Sequence, residues 1–186
     1  MKRLFIAIKI VPDPSFIEIY NDLTSRLQYE HFRFAEINNL HLTLRFIGET
    51  LEDKIPDIDR MLNKTAQTAK AFTLNINKTR VFGSAYNPKV VWFGIDHNEQ
   101  LTHLHTAIEL NLSKVGFFPD RQNYIPHLTL TRIRQLKDLK LFQKIIFEFR
   151  EKEIMKQDVP SFSLIESTLL KEGPIYNTLN SYALQK

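Results

Sequence analysis

One four-letter string stands twice in this chain, as His41-Leu42-Thr43-Leu44 and as His127-Leu128-Thr129-Leu130. In an extended segment, side chains at i and i+2 share a face. The leucines therefore turn to one side and anchor the strand. His41 and Thr43, and likewise His127 and Thr129, turn to the other. Imidazole titrates near neutral pH and serves as base or acid, and a threonine hydroxyl donates a hydrogen bond. Two such pairs brought together suit an in-line displacement at phosphorus. One histidine takes a proton from the attacking oxygen, the other gives one to the oxygen leaving on the opposite side, and the hydroxyls hold the equatorial oxygens. A general acid or base contributes about 10²–10⁴-fold, or roughly 3–5 kcal/mol of barrier. Such a pair without a metal calls for a comparatively labile diester, and the strained 2′,3′-cyclic phosphate that an RNA 2′-hydroxyl permits is one. A lone His-Leu-Thr-Leu is ordinarily just a strand. Packing explains why the leucines return; it does not explain why an outward-facing histidine returns.

The elements that must position these residues follow the same period. Residues 3–10 alternate, with Leu4, Ile6, Ile8 and Ile10 on one face and Phe5, Ala7 and Lys9 on the other. Asp13-Pro14 reads as a helix cap followed by a proline at the first helical position, with Phe16, Tyr20, Leu23 and Leu27 at helical spacing behind it. Residues 40–47 form the first motif strand, ended by Gly48. Thr50 caps a helix marked by Leu51, Ile55, Ile58 and Leu62, and residues 72–82 are extended. The order then repeats with a strand at 90–95, a helical stripe of Leu101, Leu104, Ile108 and Leu112, the motif strand at 127–132 behind Pro126, and a helix through Leu136, Leu139, Phe142 and Ile146. Two strands, 162–170 and 175–184, join across Gly173-Pro174. The interval from 41 to 127 is 86 positions, and the same shift carries Leu4 to Val90. This predicts one domain over 1–186, built as two lobes of about 1–86 and 87–186 with approximate two-fold symmetry and a cleft between them.

Composition excludes several other chemistries. The chain of 186 residues has no cysteine, so it offers no disulfide, thiol nucleophile or Cys-based zinc site. Its five glycines are too far apart for a Rossmann or Walker loop. A net charge of +4 permits a polyanionic ligand without demanding one. The apolar runs fall short of a bilayer span, and Lys9 and Pro12 break the pattern of an export signal. The expectation is a cytoplasmic protein without a membrane segment.

The sequence resembles the 2H phosphoesterase superfamily and, within it, the RNA 2′,3′-cyclic phosphodiesterases, also called 2′-5′ RNA ligases. The residues that carry the likeness are the two motifs, with Arg45-Phe46-Ile47-Gly48-Glu49 behind the first, and Pro126 before and Arg132 behind the second. Arg3-Leu4-Phe5-Ile6-Ala7-Ile8, Val91-Trp92-Phe93-Gly94, Ser167-Thr168-Leu169-Leu170 and Gly173-Pro174-Ile175-Tyr176 also fit. The resemblance implies an α+β, bilobal fold of two pseudo-symmetric, antiparallel-rich sheets lining a central cleft, with helices packed outside. It implies hydrolysis of a 2′,3′-cyclic phosphate to a 2′-phosphomonoester with no metal or cofactor, and possible 2′-5′ joining by the reverse route. His41 would be the proton donor and His127 the proton acceptor, although the residues alone leave that assignment open. Thr43 and Thr129 would bind the phosphate. Arg132 matches a position often basic in the family, yet strict alternation sets it opposite His127 unless a bulge intervenes. Partners would be RNA ends or nucleotides with a 2′,3′-cyclic phosphate, met by a monomer. The alternatives are a 2′-5′ oligonucleotide or small cyclic-nucleotide phosphodiesterase, and an RNA-binding module without turnover.

Other residues invite weaker readings. His97, His103 and His105 have the wrong spacing for a metal set and read as surface residues. The acidic residues at 52, 53, 57 and 59 read as a solvated helix face. Trp92 and Phe93 read as core. Tyr86 and Tyr124 either border the cleft, where they could stack on a base, or are ordinary half-buried tyrosines. Residues 150–156 read as a mixed-charge surface stretch.

Overall fold

The computed structural model describes residues 1–119, 123–171 and 173–186. The predicted elements form close to their expected bounds. Strand β1 spans Lys2–Lys9, helix α1 Pro14–Arg26 and strand β2 His41–Thr50. Helix α2 spans Ile55–Ala66, strand β3 Phe72–Ser84, strand β4 Asn87–Ile95 and helix α3 Glu99–Ser113. Strand β5 spans His127–Arg132, helix α4 Leu139–Phe149, and strands β6, β7 and β8 span Glu153–Val159, Ser161–Leu170 and Gly173–Ala183. Asp13 caps α1 as expected, its carboxylate accepting from the Phe16 amide at 2.8 Å. Three boundaries differ from expectation. Helix α4 starts at Leu139 behind its Asp138 cap, so Leu136 lies before it. Gly48 does not end β2: it takes φ +87°, which glycine tolerates, and the strand runs on to Thr50. Thr50 then caps nothing, since its hydroxyl donates back to the Gly48 carbonyl. Helix α2 starts only at Ile55, with Pro56 in its first turn.

The strands form two four-stranded antiparallel sheets, ordered β2-β1-β7-β8 and β5-β4-β3-β6. The sheets cut across the two halves of the sequence. Strand β3, from the first half, joins the sheet of β4 and β5, while β7, from the second half, joins the sheet of β1 and β2. Helix packing is exchanged in the same sense. α1 and α4 pack on each other and on the sheet that holds β3 and β6, where Phe16 meets Phe93 edge-on at 5.5 Å. α2 and α3 pack on each other and on β8 and β2. One apolar core runs through both, taking Leu4, Ile6 and Ile8 from β1, Leu42 and Leu44 from β2, and Leu128 and Leu130 from β5.

Strand β6 lies where a surface stretch was expected. It is an edge strand, and edges accept charged side chains that a central strand would not. Ile154, Met155 and Val159 are its buried residues. The acidic face of α2 is also less solvated than expected, because Asp59 accepts hydrogen bonds from the Tyr182 hydroxyl at 2.7 Å and the Asn180 amide at 2.6 Å. Among the described residues no helix is long and apolar enough to cross a membrane.

Gly94 stands across the ladder from His127. A Cβ at Gly94 would lie 2.9 Å from the Asn77 carbonyl oxygen, a backbone atom that cannot swing aside. Gly94→Ala is therefore expected to destabilise the protein by about 1–3 kcal/mol, read by equilibrium urea unfolding. A loss under about 0.5 kcal/mol would mean that β3 yields freely at this point.

Candidate active site

Both motif strands, β2 and β5, are edge strands of their sheets, and they approach each other. Their pairing with the neighbouring strands is the same in detail. In β2, Ala7 pairs with Thr43 and Ile6 with Arg45, which leaves Leu44 as an extra residue. In β5, Trp92 pairs with Thr129 and Val91 with Thr131, which leaves Leu130 as the extra residue. Each motif thus ends on a β-bulge at its fourth residue. A bulge resets the alternation, and in β5 both Leu130 and Thr131 are buried. Arg132 pairs with Val90, two residues from Trp92, so it returns to the face of His127 and Thr129. In the first copy Phe46 takes that place. It pairs with Phe5 across the ladder, packs on its ring at 5.8 Å and remains exposed.

The two imidazoles are held alike. His41 Nδ1 lies 2.8 Å from the Asn39 carbonyl oxygen, and His127 Nδ1 lies 2.7 Å from the Ile125 carbonyl oxygen. A carbonyl can only accept, so each Nδ1 carries the hydrogen and each Nε2 is left for other work. Aromatic rings brace both. His41 sits 4.9 Å from Phe5 and 5.0 Å, edge-on, from Tyr176. His127 sits 4.9 Å, edge-on, from Phe82 and 5.7 Å from Trp92. Trp92 is therefore a wall of the site and not core, unlike its neighbour Phe93. Simple period-two alternation along β4 would have separated them, since Val91 and Phe93 are fully buried on one face and Trp92 lies on the other.

Burial lowers the pKa of both histidines from the ordinary 6.5. The hydrogen bond from each Nδ1 to its carbonyl opposes that shift. A positive charge on His127 further lowers His41. The Arg132 guanidinium further lowers His127. Arg132 and Arg3 also act on the Tyr176 phenol, whose pKa burial nonetheless raises. Tyr176 belongs to β8, so the charge of Arg132 acts on a residue of the other sheet.

Among the remaining candidates, His97 and His103 are exposed, as expected. His105 is not a surface residue: it is half-buried and stacked face to face on Tyr124, ring centroids 3.9 Å apart and 5° from parallel. Tyr124 is occupied by that stack and by a hydrogen bond to the Thr43 carbonyl. Tyr86 is exposed in the turn between β3 and β4. Among the described residues no three His, Asp or Glu side chains gather in a way that could hold a metal ion.

The model of the 2′-5′ RNA ligase superfamily matches residues 11–168. An RNA 2′,3′-cyclic phosphodiesterase of Methanothermobacter thermautotrophicus is 31% identical over 152 residues, covering 82% of this chain and 82% of its own. One of Thermotoga maritima is 32% identical over 181 residues, covering 95% and 92%. Among solved structures, one from Thermus thermophilus superposes with a TM-score of 0.81 at 22% identity over 98% of each chain. E. coli LigT in its apo form superposes with a TM-score of 0.76 at 22% identity, over 100% of this chain and 98% of that one. These two show that the fold is shared. The matched span begins just after β1 and ends within β7, taking in both motif strands and their bulges, and on that match the protein belongs to the 2′-5′ RNA ligase superfamily.

Proposed function

We propose that this protein is an RNA 2′,3′-cyclic phosphodiesterase that opens the cyclic phosphate to a 2′-phosphomonoester without a metal. Relatives from several organisms carry that name, and E. coli LigT has been crystallised with 3′-AMP. The observation that carries the reading is the matched presentation of His41 and His127. The bulges are the same, each Nδ1 is bound to the carbonyl two residues back, and the rings are close enough for their charges to couple.

Water attacks phosphorus on the side of His127 and gives its proton to Nε2 of that ring. The bond from phosphorus to the 3′-oxygen breaks, and His41 supplies the proton that makes it a hydroxyl. Thr43 and Thr129 donate hydrogen bonds to the non-bridging oxygens, and Arg132 offsets their charge. The environment of the two rings supports this division of labour. Arg132 stands beside His127 and disfavours its protonation, which suits a resting base. A 5′-hydroxyl in place of water would give a 2′-5′ linkage with the same two groups. Both histidines come from one chain, so a monomer holds a complete site. We further read 1–186 as one domain of two lobes whose sheets exchange β3 and β7.

His41→Ala and His127→Ala are each expected to lower kcat on 2′,3′-cyclic AMP by at least about a hundredfold, with wild-type activity unchanged in excess EDTA. Turnover that survives either substitution, or that stops on chelation and returns with Mg²⁺, would sink the mechanism.

The lowered pKa values set the pH dependence. The base must be neutral and the acid protonated, so kcat/KM should follow a bell whose maximum lies on the acid side of neutrality. Arg132→Gln removes a cation that disfavours the His127 imidazolium, so the pKa of His127 rises and the ascending limb moves to higher pH. A shift of that limb to lower pH would show that Arg132 does not act on the base.

A further inference from the structure

An edge strand leaves one row of backbone amides and carbonyls without sheet partners. The two motif strands meet this demand reciprocally. The segment that leads into β2 crosses to β5: the Ala35 amide donates to the Leu130 carbonyl at 2.7 Å, Phe34 bridges to Thr131, and the Thr131 hydroxyl donates to the Arg33 carbonyl at 2.9 Å. The segment that leads into β5 crosses to β2: the Tyr124 hydroxyl donates to the Thr43 carbonyl at 3.3 Å, and the Arg45 guanidinium donates to the Phe118 carbonyl. The second crossing carries a closed chain of side chains. Tyr124 lies flat on His105 of α3. His105 Nε2 is 3.7 Å from Glu109 Oε1 one turn along the helix, and the same oxygen is 3.3 Å from Arg45 Nη1. Arg45 lies two residues after Thr43, so the chain begins and ends on the bulge of the first motif.

We infer that Tyr124, clamped by His105, is a positioning residue that sets the separation of the two His-x-Thr strands. Tyr124 stands three residues before His127, and the carbonyl of its neighbour Ile125 orients the His127 ring. Its hydroxyl grips the backbone of Thr43, two residues after His41. A single side chain thus spans from the root of one motif to the middle of the other. Burial pushes the phenol up, so it stays a donor throughout the working pH range. Tyr124 acts on His41 and His127 through the backbone that carries them. Displacement of a reacting group by about an ångström is enough to cost up to a hundredfold in rate.

The inference rests on the proposed phosphodiesterase activity for its kinetic test, so a second readout is independent of turnover. Tyr124→Phe keeps the stack on His105 and removes only the hydrogen bond. On 2′,3′-cyclic AMP it should lower kcat about tenfold while leaving KM within about twofold, because the groups that bind the phosphate remain. His105→Ala should do the same, and His105→Phe, which keeps a flat ring under Tyr124, should recover most of the loss. The imidazole resonances of His41 and His127, followed by NMR through a pH titration, should move in Tyr124→Phe and His105→Ala and stay near wild type in His105→Phe. Ring resonances that do not move in Tyr124→Phe overturn the inference, whatever turnover does. So does a kcat within twofold of wild type in an active enzyme, or a kcat loss that only tracks the urea unfolding midpoint across the three variants. If the wild-type protein does not hydrolyse the substrate, the proposed function fails and the resonances alone decide the role of Tyr124.

Discussion

Two open strand edges, placed side by side, set the terms for the rest of this molecule. Each motif strand must remain an edge, because a further strand on its outer side would come between the two histidine-bearing rows. Yet an open edge invites pairing with other chains. The solution is to let the connection entering each motif strand lie along the edge of the other. Ala35 and Phe34 cover β5, while Tyr124 and Phe118 cover β2. The exchange of β3 and β7 between the sheets ties the halves together on the far side. Phe34, Ala35 and Tyr124 at this junction all pack against one core.

The shared bulge sets which side chains face this junction. Up to Thr43 and Thr129 the strands alternate simply, leucines to the core and polar residues to the cleft. Beyond the bulge the phase reverses, so the site face gains Arg132 in one copy and Phe46 in the other. That difference breaks the symmetry of a duplicated arrangement. Both imidazoles pack on two aromatic rings, and His127 alone of the two also meets a lowering charge from Arg132. Two rings held alike by backbone carbonyls thus meet different electrostatic surroundings, which is what the proposed acid–base division calls for.

Much of this was legible in the sequence. The bounds predicted for β5 match the strand, because a proline before it and the alternation of its first four residues leave little freedom. The Asp13 cap, the helical stripes and the outward face of both histidines follow from periodicity alone. Other features were not legible, for identifiable reasons. β6 is an edge strand and carries charges that look like surface. Trp92 sits in a run of apolar residues that hides its alternation. His105 has a polar side chain on an amphipathic helix, and only a tyrosine nineteen positions later buries it. No glycine marks either motif bulge.

Residue order by itself determined the chemistry on offer and the face on which each strand presents it, since both depend on residue type and on a two-residue period. Tertiary structure alone decided which strand joins which sheet, where the alternation slips, and how strongly each imidazole is held from its ordinary proton affinity. Those outcomes depend on hydrogen-bond registers, desolvation and charges supplied by residues far apart in the chain, and no local pattern encodes them.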